Sequence, residues 1–582
     1  MKKILTIYIL LIASLQSSGQ SAESFLKLGD IKAKKGDYTG AIVDYTKAIE
    51  LNPKNAGAYS NRGIAKRKLE DYRGAIADYT KAIELNPKDV GAYSNRGNAK
   101  YFIEDYRGAI DDYTKAIELN PKDATVYFNR GIAKDNLQDY RGAITDYTKA
   151  IELNPKYAKA YSNRGIAKNN LQDYRGAIAD FTKAIELNPQ YYKANLNRGV
   201  AKNDLKDYNG ALADYNKAIE INPTFADAYY NRGNTKDDLK DYNGAIADYN
   251  KAIEINPTFV DAYYNRGNTK KNLNDFYSAI GDFTKAIEIN PKDYKAYLNR
   301  GVAKNDLNDY NGAIADYNKA IEINPTFADA YYNRGNTKKN LNDFYSAIGD
   351  FTKAIELNPN LVDAYFKRGN ARGDIKDYSG AIVDYDKVIE LNQNDYEAYY
   401  NRGLAKMNNA EGKFIYLNYN SAIADFTKAI ELDPKNAELH FNRGVAKENL
   451  KDFSGAIADY NKAIELNPKF AYAYINRGIA KANLQNFNGA IADYNKAIEL
   501  DPKDADSYYN RGFAKANLEN YNDAISDYTK AIELNPNDAQ IYFNRGFVKF
   551  KLNDKNGACL DLSKAKELGN TNAYDIMKMY CN

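Results

Sequence analysis

Small, aromatic and polar residues recur along this chain with one long period. The tripeptide Asn-Arg-Gly sets it: its glycines, from Gly63 to Gly403 and again from Gly444 to Gly546, stand 34 residues apart, and Gly29 starts the series without the Asn-Arg, giving 16 units. With this glycine as position 8, positions 4, 8 and 11 share one helical face, and positions 20, 24, 27 and 28 share another. Each unit therefore predicts two amphipathic helices. Position 20 is Ala in all 16 units and position 27 is Ala in 15, with Val388 the exception. Small residues at 8, 20 and 27 let two backbones approach closely, and aromatics at 4, 17 and 24 fill the space left. All 14 prolines fall at position 32, where they end the second helix and turn the chain.

One such hairpin cannot bury its apolar face alone, so stability must come from stacking on neighbours. The period leaves no room for a separate catalytic domain. A 34-residue unit with an aromatic at 4, Gly at 8, Ala at 20, an aromatic at 24, Ala at 27 and Pro at 32 resembles the tetratricopeptide repeat over residues 22–572. The resemblance implies an all-α fold: a right-handed superhelical solenoid of about 16 helix-turn-helix units with a C-terminal capping helix. The implied organisation is a signal peptide at 1–19, units 1 to 11 at 20–395, unit 12 with a seven-residue insertion at 396–436, units 13 to 16 at 437–572, and the cap at 573–582. The insertion lies between Met407 and Tyr419 and reads as a hinge, a partner contact or a longer turn. Units 8 and 10 are near-copies, which points to growth by internal duplication.

The ends of the chain add a location. Lys2 and Lys3 precede an apolar run of 12 residues, Ile4 to Leu15, with small residues Ser17 and Gly19 behind it. This is the layout of a secretory signal of bacterial type, cleaved near Gln20, and it predicts a protein that is periplasmic or secreted; an uncleaved anchor is the other reading. No later segment is apolar enough to span a membrane. Cys559 and Cys581, one on the last unit and one on the cap, could form a disulfide in an oxidising compartment; two free thiols are the alternative.

Composition narrows the chemistry. Basic and acidic residues nearly balance, 81 against 77, so nothing resembles a basic stripe for nucleic acid. The one histidine, His440, sits at the aromatic packing position 4, so a histidine base or metal cluster is unavailable. No catalytic residue, metal site or cofactor is expected.

In the repeat family the first helices line a concave groove, with positions 2, 5, 9 and 12 facing it and 6 nearby. The resemblance thus singles out Asn at position 6, present in 14 units. Asn231, Asn265, Asn299 and Asn333 could form a ladder that holds peptide backbone, since an amide both donates and accepts. Tyr230, Tyr264 and Tyr332 at position 5 would add aromatic contact area. Asn at 6 bonding only to its own neighbours is the competing reading. Two sets, Asn234–Asn265–Lys295 and Asn98–Asn129–Lys159, match three elements of the family's carboxylate clamp, but Tyr230 and Asn299, and Ser94 and Asn163, leave both clamps incomplete. One departure from the family recurs: Arg at position 7 in 15 units, against Asp at position 23 in all 16. This predicts an Arg–Asp ladder along the stack, satisfying both charges at each interface. The expected function is an exported scaffold that binds an unidentified protein or peptide partner in its groove, without catalysis; the alternatives are a structural spacer of the cell envelope and a polysaccharide-binding solenoid.

Overall fold

The computed structural model describes residues 21–410 and 415–581. The expected signal peptide, 1–19, lies outside the described residues. Among the described residues there are 33 helices and no strands. The chain divides into two compact units, Met1–Asn290 and Pro291–Asn582. The first holds the helices from Ala22–Lys34 to Phe276–Ile289, the second those from Tyr294–Asp306 to Thr571–Tyr580. Within each, successive helices pair as hairpins, and each hairpin packs on the next.

Repeat 7 shows why the sequence folds this way. Its first helix runs Ala226–Asp238 and its second Tyr242–Ile255. Lys240 ends the first helix in the left-handed region, with φ 62°. Its N–H reaches Asp237 O at 2.8 Å, and the next N–H, of Asp241, reaches Lys236 O at 2.8 Å, so two orphan carbonyls are satisfied. Asp241 then caps the second helix by accepting from the Gly244 N–H. The same turn closes 14 repeats with Glu, Gln, Lys or Asn at positive φ, and only repeat 1 uses glycine there, Gly36.

The glycine at position 8 makes the two helices of a hairpin close. A Cβ on Gly267 would lie 2.8 Å from Cε1 of Phe283, the position-24 ring. Ala279 and Ala286, at positions 20 and 27, are fully buried beside that ring. Burying one such ring is worth about 1.5–3 kcal/mol, repeated along each unit.

Two places depart from the period. In repeat 12 the second helix, Ile415–Leu432, has 18 residues where its counterparts have 13 or 14, and Asn418 Nδ2 donates to Asn409 O at 2.8 Å across the insertion. Residues 411–414 of the insertion lie outside the described residues. At the C-terminus the helix Thr571–Tyr580 covers the last repeat, and Cys559 and Cys581 are joined by a disulfide. Ile576 and Met577 pack on Leu562 and Ala565, together with Ala573. Tyr574 instead lies half exposed beneath the Lys566 ammonium, 4.9 Å from its ring centre.

Two substitutions separate the close approach from the turn. Gly267→Ala should destabilise by about 1–3 kcal/mol through overpacking against Phe283. Lys240→Gly should stabilise by about 0.5–1 kcal/mol, the relief of left-handed strain less the added chain entropy. Urea unfolding of both variants checks this; equal midpoints would refute the assignment of the two glycine-favouring positions.

Candidate functional site

Most charged side chains of the frame are consumed internally. In repeat 4, Arg130 grips Asp146 with two bonds, Nε to Oδ2 at 2.9 Å and Nη2 to Oδ1 at 2.7 Å. Lys134 adds an ion pair to Oδ2 at 2.8 Å, and the Tyr127 ring centre lies 5.7 Å from the guanidinium carbon. Asp146 is only 2% exposed. All 15 position-7 arginines hold the position-23 aspartate in this way. The pairing differs from the expected interface ladder, because positions 7 and 23 face each other inside one hairpin. The link between repeats is the remaining nitrogen: Arg130 Nη1 donates to Thr114 Oγ1 of the preceding repeat at 3.0 Å, and Asn250 or Asp386 takes that place elsewhere. The arginines are thereby withdrawn from ligand binding.

The position-6 asparagines also turn inward. Asn231 and Asn333 donate to the carbonyls of Asp227 and Asp329, each at 2.8 Å, and Asn299 donates to Lys295 O at 3.2 Å. Asn265 donates to Asn234 Oδ1 at 2.9 Å and to the Tyr230 hydroxyl at 3.0 Å, while Tyr249 donates to the same Asn234 oxygen at 2.8 Å. Asn129 and Tyr113 converge likewise on Asn98 Oδ1, at 3.1 and 2.8 Å. The paired amides of both incomplete clamps therefore bond to each other. Tyr230, Tyr264 and Tyr332 are half-buried, their ring centres 6.1, 5.9 and 6.0 Å from the position-24 rings Tyr249, Phe283 and Phe351. Asn231 and Asn265 belong to the first compact unit, Asn299 and Asn333 to the second.

Between successive first helices the surface opens into notches at one register. Each is floored by the position-24 ring, bounded by positions 9, 12 and 13 of one repeat and by positions 6, 9 and 10 of the next. One of about 210 Å³ is lined by Asp237, Asp238 and Asn265. One of about 420 Å³ carries Asp374 and Asn401. One of about 320 Å³ is walled by Phe513, Phe547 and Lys551. The two phenylalanines are 45% and 48% exposed, well above what their neighbours in the frame show. The sequence signal for these walls is variation: position 12 runs through Arg67, Tyr101, Asp135, Lys339, Met407 and Glu448 in an otherwise repetitive unit.

Burial governs the titratable groups of the frame. Burial pushes the Tyr79 phenol up to about 12, with Arg67 pulling down and Asp78 pushing up. Other position-24 phenols, such as Tyr113 and Tyr528, shift the same way for the same first reason. His440 is buried at its packing position, and burial lowers its pKa, reinforced by Arg443.

Residues 56–191, 226–293, 328–361, 437–470 and 505–538 match the tetratricopeptide repeat family. The related TPR repeat description matches 29–69, 201–236, 303–342, 374–409, 418–451 and 482–519. No curated protein matches the chain. Among solved structures, MamA is 29% identical over 30% of this chain and 96% of its own, with a TM-score of 0.29. YrrB, a TPR protein with an unusual peptide-binding site, is 28% identical over 32% of this chain and 95% of its own, TM-score 0.29. A tetratricopeptide repeat protein from Parabacteroides merdae is 24% identical over 44% and 97%, TM-score 0.35.

Two outcomes follow from the frame. Arg130→Met should cost about 3–5 kcal/mol, since it leaves Asp146 buried with one partner removed, and adding Asp146→Leu should recover much of that loss. Denaturant unfolding of the single and double variants measures it; an Arg130→Met loss under about 1 kcal/mol would place the pair among weak surface bridges. The second outcome is a pH dependence. The folded phenol values lie above the ordinary value of 10, so this stabilisation is complete below pH 10 and is lost as pH rises toward 12. His440 has the opposite sign: its lowered value makes stability fall as pH drops below 6.5, and His440→Phe should remove that step. Unfolding midpoints from pH 5 to pH 12, read beside tyrosinate absorbance, test both limbs.

Proposed function

Since the chain belongs to the tetratricopeptide repeat family, a scaffold fold, we propose that it binds an extended peptide segment of another protein along the notched faces of its first helices and carries out no reaction. The observation that carries this reading is the recurrence of one notch at one register with changing walls: acidic at Asp237 and Asp238, apolar at Phe513 and Phe547. The ridges between notches are fixed by bonds that every repeat shares. A ligand with side chains at suitable spacing would be read notch by notch, with Asn265 and its counterparts Asn231, Asn299 and Asn333 framing the notches. Affinity would then be a sum of modest contacts.

We further propose that the protein works outside the cytoplasm, periplasmic or secreted. The charged start and apolar run before Gln20 support this, as does the Cys559–Cys581 disulfide, since such bonds persist in oxidising compartments.

A random array of immobilised acetylated hexapeptides tests the first reading. The full chain should select a subset, and the pair Phe513→Ala and Phe547→Ala should lower retention of peptides with aromatic or aliphatic side chains about tenfold or more, as loss of two buried contacts predicts. Binding to none of the peptides would sink the reading and leave a spacer. Mass measurement of protein recovered from the envelope or medium tests the second; an intact Met1 in a cytoplasmic fraction would refute export.

A further inference from the structure

The side chain at position 12 normally covers the floor of the notch beside it. Asn203 Oδ1 accepts from Thr235 Oγ1 at 2.7 Å, and Asn305 Oδ1 from Thr337 Oγ1 at 2.8 Å, each threonine at position 10 of the next repeat. In repeat 13, Glu448 at position 12 accepts from the position-24 hydroxyl of Tyr460 at 2.5 Å. Repeat 11 alone among the 16 has glycine here, Gly373. Its floor is uncovered to match. Tyr385 is 4% exposed and Ala405 6%, where the same two positions in repeats 4 and 5, Tyr147 and Ala167, are 0% exposed. The notch there holds about 420 Å³, against about 210 Å³ for the one at Asp237.

Neither the backbone nor the packing asks for this glycine. Gly373 lies within the helix Val362–Asp374, outside the left-handed region, and a Cβ on it would meet no atom of another element within 4 Å. At position 8 the contrast is complete, since a Cβ on Gly369 would lie 2.9 Å from Cε1 of Tyr385. A helix carrying glycine is less stable than the same helix with a side chain there. The opening is therefore one that the fold does not require.

The rim of this opening is polar. Asn370 Oδ1 accepts from the Tyr385 hydroxyl at 2.7 Å, as Asn98 and Asn234 do from theirs. In those two repeats the same oxygen also takes the position-6 amide of the next repeat, Asn129 at 3.1 Å and Asn265 at 2.9 Å. Asn401 is the corresponding amide here. It lines the notch, and its side chain makes no hydrogen bond to any described residue. The charges on the rim offset each other: Lys339 Nζ and Asp374 Oδ2 stand 3.5 Å apart. A cationic side chain entering would meet the ammonium, and an anionic one the carboxylate.

We propose that the notch between repeats 11 and 12 takes a glutamine side chain of the bound peptide, an inference that rests on the peptide-binding reading above. The methylenes of the glutamine would lie on the Tyr385 ring and the Ala405 methyl, in the place that position 12 fills elsewhere. Its amide would exchange two hydrogen bonds with the Asn401 amide, each group donating once and accepting once. A neutral amide meets no like charge from Lys339 or Asp374. Asparagine, one methylene shorter, would cover less of the apolar floor.

The test uses the full chain on the random acetylated hexapeptide array, beside two variants. Gly373→Met fills the notch with the residue that repeat 12 carries at this position, Met407, and Asn401→Ala removes the amide. Wild type should enrich peptides with Gln, and the best such peptide should lose about tenfold in affinity when its glutamine becomes norleucine. That loss should shrink below about twofold in both variants, while peptides held at Phe513 and Phe547 bind unchanged. Gly373→Met should unfold at a urea concentration no lower than wild type, which separates a blocked notch from a damaged fold. Should it fail to fold, Asn401→Ala decides alone. Peptide binding with no glutamine preference, with a charged side chain preferred instead, or with the same glutamine preference in both variants, would overturn the proposal and leave the groove reading intact. Binding to no peptide would remove both.

Discussion

The buried carboxylate at position 23 is the constraint on which each hairpin depends. An aspartate only a few per cent exposed is tolerable because a guanidinium and an ammonium from the facing helix saturate it. Those two groups fix the rotation of the first helix about its own axis. That rotation in turn aims position 8 at the position-24 ring and leaves positions 9, 12 and 13 toward the notches. The third nitrogen of the arginine reaches backward to position 25 of the preceding repeat, so the coupling has a direction. Repeat 1 carries Leu28 in place of the arginine, and its Asp44 is held by Lys32 at 2.7 Å.

The frame and the notches divide the labour of one short sequence. Residues of the frame satisfy one another: arginine with aspartate, the position-6 asparagine with a backbone carbonyl or a neighbouring amide, the glycine with the ring. Little of that polar surface is left to recognise anything. On the proposed reading, recognition would fall to positions that the frame does not use, and these are the ones that vary.

Much of this was legible in the sequence, for reasons that are local. The period, the proline stop and the small-against-aromatic pairing act within one hairpin, so the spacing of Gly267 and Phe283 carries their contact. Arg130 and Asp146 were legible as partners but misplaced, because a periodic sequence contains every intra-repeat and inter-repeat pairing at once. The role of Asn231 and Asn265 was open for the same reason: a side-chain amide serves its own helix, its neighbour or a ligand with equal ease. The coupling of position 12 to position 10 of the next repeat spans 32 residues, from Asn203 to Thr235, and emerges only when the stacking register is known. The cap shows a smaller version of this, with Ala573 buried and Tyr574 turned out.

Repeat 12 shows what the arginine grip measures. Elsewhere its two members are 16 residues apart; Arg402 and Asp425 are 23 apart, yet their Nε–Oδ2 contact is 3.0 Å against 2.9 Å in repeat 4. The grip is a ruler across space and is indifferent to the length of chain that joins its ends. Extra residues at this edge of a hairpin have lengthened a helix by four residues and set Tyr416 and Leu417 in solvent, while the packed ring Phe426 stays fully buried. The turns between paired helices are therefore the margin along which such a protein can acquire new surface, by inserted loops or whole grafted segments, without renegotiating its interior.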